Sequence, residues 1–196
     1  MAKNRSQSGQ VRIIGGQWRS RRLPIHDLEG LRPTTDRVRE TLFNWLAPDI
    51  AGARVLDCFA GTGALSLEAL SRYAGHATIL ELQASAAKQL STNLATLQCD
   101  NAKVIKGDAL QFLAAPCSVG FDIIFVDPPF NKDLAEPCLQ QLTANGWLNP
   151  HALIYVETES NWDCNAVPPN WQLLKEKKAG QVCFRLYQYL PTSETQ

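Results

Sequence analysis

From residue 53 onward, short apolar runs alternate with longer stretches whose apolar residues recur every three to four positions. The runs read as buried strands and the stretches as helices packed on them. This spacing predicts strands at 54–58, 77–82, 103–106, 121–126 and 152–157. Helices are expected from the residue after Gly63 to about Arg72, then over 84–97, 109–113 and about 132–145, with Gly146 as a C-terminal stop. Strands alternating with helices give a mostly parallel, doubly wound α/β sheet. The tail breaks the rhythm. Residues 171–177 and 182–189 are two strand-like runs joined by Lys178-Ala179-Gly180-Gln181, with no helix between them. That predicts a C-terminal antiparallel hairpin.

Ahead of this unit, residues 11–14 form a short apolar run, Gly15-Gly16 reads as a hairpin turn, and 17–23 returns as a second strand ended by Pro24. Leu31-Arg32-Pro33-Thr34-Thr35-Asp36 opens a helix, with Thr34 or Thr35 as its N-cap. Val38, Leu42, Trp45 and Leu46 make its apolar stripe; Arg37, Arg39, Glu40 and Asn44 are expected off it, and Pro48 stops it. The chain thus divides into a small hairpin-and-helix extension, 1–50, and a main domain, 51–196.

Composition narrows the class. The 196 residues suffice for one well-buried core. No run stays apolar for the ~18 residues that a membrane helix needs, and residues 1–10 lack the apolar core of a secretory signal. No membrane partner is expected. Six scattered cysteines contain no C-x-x-C pair, which points away from zinc and from a disulfide framework, and toward a reducing cytoplasm. His26, His76 and His151 stand in unrelated contexts, so no metal is expected. The net charge of zero hides an asymmetry. Residues 1–40 hold nine Lys or Arg against four acids, a balance of +5; the rest hold ten against fifteen, a balance of −5. A basic segment on an acidic body is the charge pattern of a nucleic-acid binder. Trp18, Arg19, Arg21 and Arg22 of the hairpin, with Arg37 and Arg39 of the helix, are the candidate contacts, since arginine binds phosphate and Arg or Trp stacks on unpaired bases.

The chemistry concentrates after three strands. Asp57-Cys58-Phe59-Ala60-Gly61-Thr62-Gly63 lies at a strand-to-helix junction, where the glycines let a nucleotide-like cofactor approach the backbone. Glu81, 20 residues after Gly61, can hold ribose hydroxyls, and Asp108-Ala109 closes the third strand. Ser66 replaces the third glycine of a dinucleotide fingerprint, and Asp57 would repel a pyrophosphate but suit a cationic amino-acid tail. The run 121–126 then stops at Asp127-Pro128-Pro129-Phe130. Two prolines stiffen the turn. A carboxylate, a fixed carbonyl and an aromatic face there suit a flat molecule carrying an amino group.

Asp57-x-Phe59-x-Gly61-x-Gly63, Glu81, Asp108 and the Asp-Pro-Pro-Phe turn, in this order, resemble a class I S-adenosylmethionine-dependent methyltransferase. More closely, the chain resembles the RsmD family, bacterial 16S rRNA guanine-N2 methyltransferases. The likeness runs from the 11–18 segment through Leu31 to Leu46 and on to Ala179-Gly-Gln-Val182. It implies a Rossmann-like methyltransferase sheet and S-adenosyl-L-methionine held by Asp57, Phe59, Gly61, Gly63, Glu81, Gln83, Asp108 and Ala109. It also implies an amine held by Asp127, Pro128 and Phe130. The implied partner is 16S rRNA within an assembling 30S subunit, met by a monomer. Leu82-Gln83 follows Glu81 where a further acid is common, so the role of Gln83 stays open. A DNA adenine-N6 or protein glutamine methyltransferase uses a similar turn; the basic hairpin favours RNA. A non-catalytic RNA binder on the same scaffold is the reading from a different class, and an intact Asp127 and glycine loop speak against it.

Overall fold

A computed structural model of the chain describes residues 9–25 and 35–191. His26, Leu31, Arg32, Pro33 and Thr34, used above, lie outside the described residues, as do residues 1–8 of the basic segment. The elements are β1 (Gln10–Arg12), β2 (Arg22–Pro24), α1 (Asp36–Trp45), β3 (Arg54–Asp57), α2 (Ala64–Ser71), β4 (His76–Glu81), α3 (Ala84–Thr96), β5 (Ala102–Lys106), α4 (Ala109–Leu113), β6 (Phe121–Val126), α5 (Ala135–Ala144), β7 (Leu148–Glu159), β8 (Trp171–Ala179) and β9 (Val182–Tyr189). Seven strands form one sheet in the order β5-β4-β3-β6-β7-β9-β8. The first five pair in parallel, and β9 is antiparallel to both its neighbours. This is the expected doubly wound sheet with its terminal hairpin.

Alternation along each strand sends side chains to two separate cores. Val55, Ile79, Ile123, Phe125 and Tyr155 pack with α1, α2 and α3 on one face. Leu56, Leu80, Ile124, Val126 and Ile154 pack with α4 and α5 on the other. Aromatic rings seat α1: Phe43 meets Phe125 edge-on at 6.0 Å, and Trp45 lies 5.5 Å from Phe184. Thr35 caps α1, its Oγ1 accepting from Val38 N.

Three boundaries differ from expectation, each for a local reason. α5 starts at Ala135 rather than near 132, because Asn131 (φ 57°) and Asp133 (φ 51°) take left-handed conformations that interrupt a right-handed helix. β7 starts at Leu148, which pairs with Phe121 ahead of a register shift. The C-terminal hairpin closes over Gly180-Gln181 alone, with Ala179 paired to Val182 and Gly180 at φ 65°.

The N-terminal hairpin departs most. β1 and β2 pair over only three rungs, Gln10 to Pro24, Val11 to Leu23 and Arg12 to Arg22. Gly15-Gly16 is not their turn. It is the point where a longer loop presses on the end of α2. A Cβ at Gly16 (φ 75°) would stand 1.9 Å from the Ser71 carbonyl oxygen, so only glycine fits. Gln17 N donates to that oxygen at 2.8 Å, and Trp18 N donates to Ser71 Oγ at 3.0 Å. Beneath the loop, the fully buried Glu68 carboxylate accepts from Ile14 N and Gly15 N, both at 2.8 Å, and pairs with Arg72 Nε at 2.8 Å. Val11, Ile13 and Leu23 join the same core as α1 and the sheet.

Removing a buried ionic acceptor strands its partners, at roughly 3–5 kcal/mol. Glu68→Ala should therefore lower unfolding free energy by about that much and expose the 9–25 segment to protease before the sheet unfolds. Denaturant titration with timed proteolysis measures both; equal protection of the segment in the two proteins would remove Glu68 as its anchor.

Candidate active site

The carboxyl ends of β3, β4, β5, β6 and β7 line one edge of the sheet, because these five strands run parallel. That edge gathers the predicted cofactor and turn residues. The glycine loop after β3 is bonded to both neighbouring strands: Cys58 N donates to Phe125 O at 3.0 Å and Ala60 N to Leu80 O at 3.0 Å. Gly61 (φ 53°) and Gly63 (φ 76°) are left-handed. A Cβ on Gly63 would stand 2.1 Å from Leu90 Cδ2 of α3, so the loop closes onto α2 only with glycine there. Gly63 is the N-cap of α2 and gives it no side-chain cap. The backbone N–H groups at the start of α2 thus face the rim without a side-chain acceptor from the cap residue.

Glu81 ties the loop to the next turn. One carboxylate oxygen accepts from Gly61 N at 2.8 Å and the other from Gln83 N at 2.7 Å. Gln83 itself is exposed at the start of α3. Asp108 is the N-cap of the short α4, its Oδ1 accepting from Gln111 N at 2.9 Å; Ala109 behind it is buried. A Cβ on Gly107 would meet nothing within 4 Å, so the space beside Gly107 is open. Phe59 is half-buried in the loop.

Two sequence expectations are corrected. Asp57 was expected to face a cationic tail. Instead it is buried under the loop, accepting from Ser66 Oγ at 2.5 Å and from the Phe59 N–H. Burial pushes its carboxyl up to about 6, against the hydrogen bonds from Ser66 and Phe59 and with help from the nearby Glu81 charge. Asp57 is a brace for the loop, and Ser66 supplies the other half of it. Arg39 was expected to lie off the apolar stripe and touch RNA. It is 3% exposed and bonded to Asp36 Oδ1 at 2.5 Å and to the Arg12 carbonyl at 2.9 Å, with Glu68 at 4.0 Å. Its guanidinium is occupied inside the protein. Arg19, Arg21, Arg22 and Arg37 are exposed, and Trp18 is half-buried. A cavity of about 420 Å³ opens between this extension and the glycine loop, with Arg12, Arg22, Thr35 and Thr62 among its walls.

At β6, Asp127 is half-buried, Pro128 buried, Pro129 exposed and Phe130 half-buried. The turn is pinned from the neighbouring strand: Asn131 N donates to Glu159 Oε1 at 2.6 Å. Sequence reasoning missed Tyr155 and Glu157. Val126 pairs with Val156, so Asp127 and Glu157 are the next residues on adjacent parallel strands. Tyr155 is fully buried and donates to Glu157 Oε2 at 2.6 Å. Burial pushes the Glu157 carboxyl up, and burial with the charges of Glu157 and Asp127 pushes the Tyr155 phenol well above its ordinary range. The alternation Tyr-x-Glu at the end of an otherwise apolar strand was the available signal. All six cysteines are free thiols, and among the described residues no cluster of His, Cys, Asp and Glu could hold a metal ion. No helix among them is long and apolar enough to cross a membrane.

A family model described as conserved hypothetical protein 95 matches residues 11–188. Ribosomal RNA small subunit methyltransferase D of Escherichia coli strain K12 is 58% identical over 185 residues, covering 94% of this chain and 93% of that protein. The protein of the same name from Haemophilus influenzae is 54% identical over 183 residues, covering 92% and 94%. A solved Escherichia coli structure described as a candidate methyltransferase, yhhF, superposes with a TM-score of 0.87 at 56% identity, over 94% of this chain and all of that one. With the family model spanning most of the chain and relatives this similar over their whole length, the chain belongs to the RsmD family of methyltransferases.

Proposed function

We propose that this chain methylates the exocyclic N2 amine of a guanine in 16S rRNA, using S-adenosyl-L-methionine, on a small subunit that is still assembling. The observation that carries the reading is the adjacency of two turns. The glycine loop after β3 and the Asp127–Phe130 turn after β6 end neighbouring strands, joined by the Cys58 to Phe125 hydrogen bond. A donor held by one loop therefore lies beside an acceptor held by the other. The names of the similar proteins, small subunit rRNA methyltransferases, support RNA as the acceptor.

The residues present suit the cofactor. The first turn of α2, whose Ser66 N–H is already taken by Asp57, offers its remaining N–H groups to a carboxylate. Glu81, though it already accepts two N–H bonds, keeps lone pairs for ribose hydroxyls. The open space at Gly107, before Asp108, leaves the approach to that turn unobstructed. When bound, S-adenosylmethionine supplies an electrophilic methyl group on a sulfonium. The chain's own work is placement. A guanine amine is a weak nucleophile because its lone pair is delocalised into the ring, so orientation and charge carry the catalysis. Asp127 and the Pro128 carbonyl accept the two N–H bonds and turn the lone pair toward the donor. Asp127 also receives the proton as the new C–N bond forms. Phe130 stacks on the base once it leaves its helix. Arg19, Arg21, Arg22 and Arg37 hold the surrounding backbone.

Three variants test this. Glu81→Gln keeps one acceptor oxygen and should weaken S-adenosylmethionine binding by roughly 1–3 kcal/mol in a calorimetric titration. Unchanged affinity would take Glu81 out of the site. Asp127→Asn keeps the shape of the turn but loses its charge. It should lower the single-turnover rate of methyl transfer to 16S rRNA or small subunits by about 10²–10⁴-fold, with both affinities nearly intact. Phe130→Ala should instead weaken capture of the base by roughly 1–3 kcal/mol. A merely structural turn would show both variants losing thermal midpoint and cofactor binding together, and a folded Asp127→Asn protein reacting at the wild-type rate would falsify the catalytic role.

A further inference from the structure

The edge strand β8 has no packing reason to be as long as it is. Only Trp171 is buried; every residue from 172 to 179 is exposed. These residues bury little, yet they continue the β9 ladder as far as the catalytic edge of the sheet, Lys178 pairing with Cys183 and Ala179 with Val182. Because β9 is antiparallel to β7, the β8–β9 turn lies where β7 ends: Val182 pairs with Glu159, and Ser160 N donates to Gln181 O at 2.8 Å. Glu159 is also the residue that accepts from Asn131 behind the Asp-Pro-Pro-Phe turn. One short chain of hydrogen bonds therefore fixes the hairpin tip to the site.

The strand carries Lys175, Glu176, Lys177 and Lys178. Glu176 is paired first with Arg185, its carboxylate accepting from Arg185 Nε at 2.6 Å; that hydrogen bond, with smaller help from the charges of Arg185 and Lys178, holds it below the ordinary carboxylate range. No lysine takes part in any ion pair found among the described residues. Lys175 and Lys177 stand opposite Leu186 and Phe184, on the sheet face that also seats α1 and the N-terminal extension. Lys178 stands opposite Cys183 on the other face. At a rise of about 3.3 Å per residue, Lys175 to Lys178 covers roughly 10 Å, a span that one to two phosphates of an RNA strand can match.

We propose that the outer strand of the C-terminal hairpin, through Lys175, Lys177 and Lys178, is a second RNA-backbone contact that flanks the catalytic edge opposite the N-terminal extension. This rests on the rRNA reading above and deepens it. The substrate strand is held on both sides of the site: by Arg22 of the N-terminal extension, on the cavity beside the glycine loop, and by these lysines on the other flank. Contacts of this kind are made to phosphate, so they position the strand without reading its sequence.

The test uses the full-length protein and a 16S rRNA transcript at several salt concentrations. A Lys175→Gln, Lys177→Gln, Lys178→Gln variant should bind about tenfold or more weakly at low salt. Its slope of log affinity against log salt should be shallower by about 0.7–0.9 for each phosphate that a lysine no longer neutralises. Thermal midpoint and S-adenosylmethionine affinity should not move. A Lys177→Glu, Lys178→Glu variant should show a larger loss of RNA affinity. Lysines on an edge strand also discourage strand addition between copies. If that is their only role, the glutamine variant self-associates in sedimentation while its RNA affinity and salt slope stay at wild-type values, and the proposal is overturned. A wild-type protein that binds neither the transcript nor small-subunit particles across the same salt series overturns the rRNA reading as well; wild-type binding to either that survives unchanged in the lysine variant overturns this inference alone.

Discussion

A buried carboxylate with no access to water must be met by donors, and Glu68 is met by two backbone N–H groups and an arginine. That requirement organises more than its own neighbourhood. Glu68 stands on α2, the helix that the glycine loop feeds, and its partners Ile14 and Gly15 belong to the basic extension. The helix whose first turn faces the cofactor rim therefore carries, one to two turns later, the seat of the segment expected to hold RNA. A shift of α2 would move both. Arg39 joins the same node from α1, so the three elements around the cavity share one set of buried charges.

The catalytic edge is built by a related device on a smaller scale. Carboxylates there act first on backbone N–H groups. Glu81 closes the glycine loop onto the turn before α3, Asp108 starts α4, and Glu159 holds the segment after Phe130. Asp57 does the same from beneath, through Phe59 and Ser66. Charge-assisted hydrogen bonds are the stronger ones, and several of them fix loops that have little apolar surface of their own. The edge is thus shaped before any ligand arrives, which is what a reaction run by orientation rather than by covalent catalysis requires.

Much of this was legible in the residues. The strand-helix rhythm placed the sheet, the boundaries of α4 and β6, and the terminal hairpin. The glycine loop, Glu81, Asp108 and Asp127 stood out as candidates because each ends or follows a strand and carries a chemically marked residue, and the sheet brings them to one edge. What escaped had no local marker. Arg39 reads as a surface residue in helical spacing, and only the fold reveals that Asp36 and the Arg12 carbonyl draw it inward. Gly15-Gly16 matches a hairpin turn by composition, whereas its reason is Ser71, 53 to 56 residues away in sequence from the loop atoms it meets. The Tyr155–Glu157 pair is hidden for a different cause: both residues sit in a strand whose apolar neighbours account for the run, and the bond between them appears only once Glu157 is seen to be buried.

The register of β3 sets an order on how the chain can assemble. Val55 meets Ala77 of β4 after 22 residues, but its other neighbour, Ile123 of β6, lies 68 residues along. As the chain leaves the ribosome, one flank of β3 is satisfied early and the other stays an open edge until β6 emerges, and an open edge invites wrong pairing. Among the described residues, the hydrogen bonds that seat the N-terminal segment reach no further along the chain than Asn93 of α3, which donates to the Pro24 carbonyl. The basic N-terminal segment can therefore be docked while the strand that carries Asp127 has yet to be made, and completion of β6 and β7 is the step that adds the Asp127 turn to a surface already in place.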